Sequence, residues 1–194
     1  MPPAEAPKSY HDLLAPKWTG KIGAADPKSA PGIPALWKTM EKHLGEDFIK
    51  RLAGQKINYS ATGTEAWNKL VAGDIAILLA TGTGAVESGK RAGNPVDWVR
   101  MSDQTYFSLP GWYGVSANAP HPHAARLFMD FIFSKEGQQV RADGGAIATM
   151  PGLRLANPDL DLQGKKLIPY ERVTEAEREA FLKSFSAKYN LAFP

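Results

Sequence analysis

The first hundred residues alternate short apolar runs with amphipathic stretches, and that alternation narrows the fold more than any other feature of the chain. Lys21 to Ala25 and Ile57 to Ser60 have the length and composition of strands. Ile75 to Ala80 is continuous in apolar residues, the pattern of a strand covered on both faces, as parallel strands are. Val96 to Met101 completes a set of four. Between the first two, Ile33, Leu36, Trp37, Met40 and Leu44 recur with a helical period, and Gly45 stands where a C′ glycine would close that helix. A short helix over Asp47 to Ala53 follows and ends at Gly54. Thr62-Gly-Thr-Glu65 reads as a capping box, with Thr62 accepting from the backbone and Glu65 bonding back. The helix it opens is expected to bury Ala66, Trp67, Leu70 and Val71 and to stop at Gly73. Another helix is expected over about Ala85 to Ala92. Strand–helix alternation of this kind predicts a parallel, three-layer α/β lobe.

After Phe107 the pattern changes. A short apolar strand is expected over Trp112 to Ala117, then a Pro-rich turn and a strongly amphipathic helix. On that helix Ala124, Leu127, Phe128, Phe131 and Ile132 fall at i, i+3, i+4, i+7 and i+8, which predicts one buried stripe. Pro122 sits early, where a missing N–H does no harm. Ser134 opens a second helical segment, and about 28 residues from Asp143 to Tyr170 then show little periodicity. Thr174-Glu-Ala-Glu177 is another capping box, starting a last helix that carries Phe181, Leu182, Phe185 and Tyr189.

Composition excludes several classes of function. The 194 residues suffice for one domain or two small ones, and 43% hydrophobic with 22% charged residues describes an ordinary globule. Net charge is only +3, and the cations are scattered without an aromatic platform, so no nucleic acid is expected as a partner. The longest apolar run, Ile75 to Ala80, falls far short of the about 20 residues a membrane-spanning helix needs. Met1 to Ala6 has neither the basic start nor the apolar middle of a signal peptide, which leaves a chain that is cytoplasmic, already processed or truncated. With no cysteine, disulfides, thiol catalysis and thiolate metal sites are ruled out.

Motifs for chemistry are sparse. Gly84 to Lys90 matches the G-x-x-x-x-G-K spacing of a phosphate loop, but Arg91 stands where Ser or Thr would hold magnesium. A helix end with its cations set against the dipole accounts for the same residues. His121 and His123 flank Pro122 without a third ligand nearby, so no metal is expected. Asp159 and Asp161 have no linked base or nucleophile, and neither a G-x-S-x-G nor an H-E-x-x-H motif occurs. No cofactor is expected and no enzyme activity. In an open parallel sheet, ligands lie outside the carboxyl ends of the strands. Three such junctions are rich in glycine and small hydroxyl residues: Asp26 to Ser29, Ser60 through Thr62, Gly63 and Thr64, and Thr81-Gly82-Thr83-Gly84. Each offers backbone N–H groups at a helix start, suited to a small polar or anionic solute. Ordinary N-capping by Ser, Thr and Asp would produce the same composition.

Three blocks carry a family resemblance. Ser9 to Ser29, SYHDLLAPKWTGKIGAADPKS, is similar to the segment by which bacterial periplasmic solute-binding proteins of ABC importers enter their second lobe. Tyr59 to Gly84 resembles their second-lobe core, and Phe107 to Gln139 resembles their carboxy-terminal segment. Order and spacing match best the subgroup of ferric-ion and small organic-anion receptors. The resemblance implies an α/β, type II periplasmic-binding fold lacking the N-terminal part of its first lobe. Residues 8–104 would form the second lobe, and 105–194 would contribute a crossing strand, long helix, irregular loop and C-terminal helix to the first. It also implies a periplasmic location, a solute held in an interlobe cleft and an ABC permease as partner. The face left open by the missing lobe makes a homodimer possible. Trp112 and Tyr113 would lie on the crossing strand, along the cleft. Ferric receptors place adjacent tyrosines after the strand equivalent to Ile75 to Ala80, where this chain has Thr81-Gly-Thr-Gly84, so an organic solute is expected instead of iron. An effector-binding domain of a transcription regulator shares the architecture, and a small α/β enzyme is the remaining alternative.

Overall fold

The computed structural model describes residues 2–30, 32–103, 105–108, 111, 113–147, 150–191 and 193. In chain order the elements are β1 (Ile22–Ala25), α1 (Gly32–Leu44), α2 (Glu46–Ala53), β2 (Asn58–Ser60), α3 (Gly63–Ala72), β3 (Ile77–Leu78), α4 (Thr83–Arg91), β4 (Thr105–Ser108), α5 (Pro122–Phe133), α6 (Lys135–Asp143), β5 (Lys166–Pro169) and α7 (Glu175–Tyr189). Short 3-10 turns stand at Tyr10–Leu14, Pro16–Trp18 and Pro158–Leu160. The chain divides into two units. The first takes Met1–Thr81, Trp98–Leu109 and Gly164–Pro194, and the second takes Gly82–Asp97 and Pro110–Gln163. That partition interleaves the sequence, where a cut after residue 104 would have split it once.

The first unit is α/β with parallel strands. β1 is the middle strand of three, in the order β2-β1-β3, and both pairings are parallel. All four of its residues are buried, which is why it reads as an unbroken apolar run. Gly45 and Gly73 sit at φ 87° and 85°, a left-handed conformation that suits glycine and ends the helices before them. Ile22, Leu36, Trp37, Met40, Phe48, Ile49 and Leu52 form one apolar cluster, joined by Phe185 and Tyr189 of α7. The rings of Trp37 and Phe185 lie 5.9 Å apart.

Several expectations are corrected. The predicted strand over Val96 to Met101 is irregular; Asp97 is drawn onto Lys90 at 2.8 Å instead of joining a ladder. A second parallel pair forms between β4 and β5, two segments the periodicity did not mark, with Thr105 to Ser108 aligned on Lys166 to Pro169. Only Ile77–Leu78 of the run Ile75 to Ala80 is strand, although Ile75 is fully buried beside it. In α3 only Ala66 is buried, while Trp67, Leu70 and Val71 are half-buried. Glu65 returns its carboxylate to the Ala61 N–H and not to Thr62, so the box closes one residue early. No strand occurs over 113–117, and the stripe on α5 is not buried: the helix has no buried residue. The stretch 143–170 is less structureless than expected, since it contains a 3-10 turn and β5.

A row of polar links fastens α7 and the segment before it to the first helices. The Thr174–Glu177 box is complete. Thr39, fully buried on α1, donates to the Ala35 carbonyl and accepts the Glu171 N–H, each at 2.7 Å. Lys42 reaches Glu171 at 2.6 Å, and Lys188 bridges Glu41 and Glu46 at 2.6 and 2.7 Å. The hydrogen bond from Lys42 holds the Glu171 carboxyl below its ordinary range. Burial opposes ionisation of Glu41, but hydrogen bonds from Lys188 and Tyr189 outweigh it and lower that carboxyl too.

Truncating Phe185 to Ala should cost about 3–5 kcal/mol, because the cavity opens against Trp37 in the centre of the cluster; urea unfolding will measure it. Depressed carboxyls contribute stability above their unfolded pKa and lose it as pH falls through the folded values. Melting temperature should therefore hold between about pH 5 and 7 and drop steeply below about pH 4, with a shallower drop in Lys42→Met, which lacks one of the links.

Candidate functional site

Parallel pairing sends the carboxyl ends of β1, β2 and β3 to the same edge of the sheet. Ala25 lies opposite Ser60, and Gly23 opposite Leu78, so the three junctions leave from neighbouring strands. After β1, Asp26 to Ser29 forms a tight turn in which Ser29 N–H donates to the Asp26 carbonyl at 3.1 Å and Lys28 N–H to its carboxylate at 2.9 Å. The Ser29 hydroxyl lies 2.7 Å from the Ala61 carbonyl and 3.1 Å from that of Asp26. It clips the first junction to the second. It does not cap α1, which begins only at Gly32.

The second junction is the best furnished. Ser60, the last residue of β2, is 2% exposed, and its hydroxyl finds no hydrogen-bond partner among the described residues. Thr62 caps α3 by accepting the Glu65 N–H at 3.1 Å. Gly63 and Thr64 are exposed and open the helix, where N–H groups have no intrahelical carbonyl to reach. Glu65 stands beside them with its carboxyl held below the ordinary range, first by a hydrogen bond from Lys69 and then by the Ala61 N–H. The Tyr59 hydroxyl is also buried, with no partner among the described residues, and burial pushes its pKa well above the ordinary phenol value.

The third junction is reached through Ala80, which takes a left-handed φ of 58° immediately before Thr81. A non-glycine residue there is held by its surroundings, and such strain clusters at working sites. Thr81 is half-buried and ends the first unit's sheet segment. Gly82 and Thr83 belong to the second unit, Gly82 as N-cap of α4 and Thr83 as its first residue. Of the candidate residues, then, Ser29, Ser60, Thr62, Gly63, Thr64 and Thr81 share one sheet edge, and Gly82 and Thr83 do not belong to that unit.

Trp112 lies outside the described residues. Tyr113, in the second unit, is 48% exposed on an irregular segment and not on a strand. Its ring meets Phe133 edge-on at 5.8 Å and the Arg141 guanidinium at 4.9 Å, and Arg141 also donates to its hydroxyl. Arg141 was missed by sequence reasoning: 28 residues separate it from Tyr113, and nothing in α6 marks it. The span Gly84 to Lys90 lies inside α4, so its N–H groups serve the helix and cannot cradle a phosphate as a loop. Glu87 within it is buried and accepts from Asn157 at 2.8 Å. His121 and His123 are both exposed, and among the described residues no group of three or more His, Asp or Glu could hold a metal ion.

The sequence model of the bacterial extracellular solute-binding protein family matches residues 1–146. The chain belongs to that family. An uncharacterized protein of Haemophilus influenzae is 28% identical over 202 residues, which cover 97% of this chain and 57% of that relative. Among solved structures, the substrate binding protein of the ABC transporter from Agrobacterium tumefaciens superposes with a TM-score of 0.70 at 16% identity, over 95% of this chain and 60% of that one. The periplasmic binding protein AfuA from Actinobacillus pleuropneumoniae, with exogenous fructose-6-phosphate bound, gives 0.65 at 23% identity, over 96% and 61%. The fold of this chain is thus of the periplasmic-binding type, and the chain spans about three fifths of the length of these proteins.

Removing the cap by Thr62→Ala should cost about 1 kcal/mol of stability, whereas Thr64→Ala, exposed and outside the cap, should change it by less than about 0.5 kcal/mol. Urea denaturation of the two variants separates a purely capping role from any other role of this junction.

Proposed function

We propose that this chain is solute-binding machinery of an ABC-type importer, periplasmic in location, which holds a small polar or anionic solute without transforming it and presents it to a membrane permease. Family membership supports the class. The observation that carries the site is the buried, unpartnered hydroxyl of Ser60 at the carboxyl edge of the sheet. A buried hydroxyl without a partner costs about 1–3 kcal/mol, and a site that must donate to a solute is a reason to keep one. Beside it, Gly63 and Thr64 contribute N–H groups at the positive end of α3, and the Thr62 hydroxyl retains its proton for donation while its oxygen serves the cap. Donors in that number suit a carboxylate or phosphate ester; the AfuA structure holds a sugar phosphate. The single acid at the junction, Glu65, is already neutralised by Lys69 at 3.0 Å. Two copies associate in this reading through an exposed apolar face.

Thermal shift with sugar phosphates, inorganic phosphate, organic acids and ferric citrate tests it, because a ligand at 100 times its Kd adds about 2.7 kcal/mol of stability. At least one organic anion should raise the melting temperature. Ser60→Ala should leave the unliganded protein as stable or slightly more so, yet abolish most of that shift. Thr83→Ala tests whether the α4 junction shares in the site. A shift that survives Ser60→Ala and Thr64→Ala undiminished, or no shift with any compound, would remove this edge from solute binding.

A further inference from the structure

The three-stranded sheet of the first unit has a second furnished region, at the end opposite the candidate solute edge. Trp18 stands just ahead of β1, and Gln55, just ahead of β2, ties the same segment down. The Thr19 hydroxyl donates to Gln55 Oε1 at 2.7 Å, and Gln55 Nε2 donates to the Ala15 carbonyl at 3.3 Å. Residues 4–18 therefore collect at the amino ends of the strands, where they line an open cavity of about 280 Å³. Ala6, buried Pro7, Ala15 and buried Trp18 give it an apolar wall. Pockets for drug-sized ligands run to about 300–1,000 Å³, so this one suits a small solute.

Lys17 and Asp12 line the same cavity with opposite charges, and neither forms an ion pair among the described residues. The Lys17 ammonium is held by the Glu5 carbonyl at 3.0 Å and by the face of Trp18, 4.5 Å from the ring centre. An ammonium has three donors, and one goes to Glu5. The Asp12 carboxylate accepts the Lys8 and Ser9 N–H groups at 2.7 and 3.0 Å, two of the about four bonds it can take. The Lys8 N–H does most to hold that carboxyl below its ordinary range, and Lys17 adds to the effect through space. The two groups are near enough to feel each other and too far apart to bond. Glu5 and Lys8 line the cavity as well, both exposed, with charges that cancel. A lone anion would meet Asp12 and Glu5, and a lone cation Lys8 and Lys17.

We infer that this cavity takes a small apolar α-amino acid as its zwitterion, with the ligand carboxylate on the Lys17 ammonium and its ammonium on the Asp12 carboxylate. Such a molecule bridges a gap that neither protein group spans alone. Its side chain lies on the wall of Ala6, Pro7, Ala15 and Trp18. Both anchors keep the bonds they already make, so the 3-10 turns need not rearrange. This second site is separate from the carboxyl edge of the sheet and does not rest on the solute reading.

Isothermal titration of the full chain with L-valine reads the outcome directly. Isobutylamine and isovalerate, each with one of valine's two charges, are the matched probes. Valine should bind with a Kd of about 0.1–1 mM. Either probe should bind at least about 10-fold more weakly, since each leaves one charged anchor unpaired. Lys17→Met should weaken valine at least about 10-fold, while Lys17→Arg keeps most of the affinity. Asp12→Asn retains an oxygen for the Lys8 and Ser9 N–H groups, so the turn should survive while valine weakens by a similar factor. No binding of valine, equal binding of isovalerate or isobutylamine, or a valine affinity indifferent to Lys17→Met would each overturn the proposal. The melting shift with the organic-anion panel, measured on Lys17→Met, separates the two sites. Its retention beside lost valine binding is the expected result, and loss of both would make them one site and overturn the proposal. An absent anion shift in the unmodified protein touches only the solute reading, because the valine titration does not depend on it.

Discussion

Parallel pairing of β1 with β2 on one side and β3 on the other is the constraint from which the first unit follows. Two parallel neighbours cannot be joined by tight turns, so each connection must cross the sheet as a helix. α1 with α2 makes the first crossing and α3 the second. The crossings cover β1 and account for its complete burial. The same parallelism delivers every strand-to-helix junction to one edge, which places the Asp26–Ser29 turn against Ala61 and brings Thr81 out beside them. Candidate solute contacts are therefore a by-product of strand direction before any particular side chain is considered.

Long-range polar links then decide where the rest of the chain goes. A residue such as Thr39, buried on a helix with only its own i−4 carbonyl to bond, leaves an acceptor lone pair in a dry environment. Glu171 N–H, 132 residues away, takes it. That bond, the Lys42–Glu171 and Lys188–Glu41 pairs and the tilted ring contact of Phe185 with Trp37 commit the carboxy-terminal helix to the α/β unit. An excursion through α5 and α6 separates β4 from β5, yet the two pair in register. The chain thus leaves its first unit and returns to it.

The helices were legible because their signals are local. Thr caps at α3 and α7, closing glycines and apolar spacing of 3.6 residues put α1, α2, α3, α5 and α7 within a residue or two of their bounds. Strands were less legible. β4 and β5 hold partly polar or exposed residues, so neither alternation nor a continuous apolar run marks them, and only the partner makes either a strand. Conversely, Val96 to Met101 has the composition of a strand, but Lys90 claims Asp97 and no ladder forms. The site was legible as a set of junction residues. Thr62 caps as its sequence position predicts, but other duties were not legible: Ser29 clips two loops, and the Ser60 hydroxyl is buried without a partner among the described residues.

Sequence by itself determined the fold class, the order of helices and the three small-residue junctions, since each depends on periodicity and capping within a dozen residues. It also carried the family resemblance in residue order. Tertiary structure alone decided which apolar faces meet. Periodicity shows that α5 has an apolar stripe, but burial needs a second surface, and Leu127, Phe128 and Phe131 find none among the described residues. The same holds for Arg141 against Tyr113 and Thr39 against Glu171, contacts between residues far apart in sequence. A hydrophobic period records only that a side chain favours leaving water; what covers it is a property of the packed molecule.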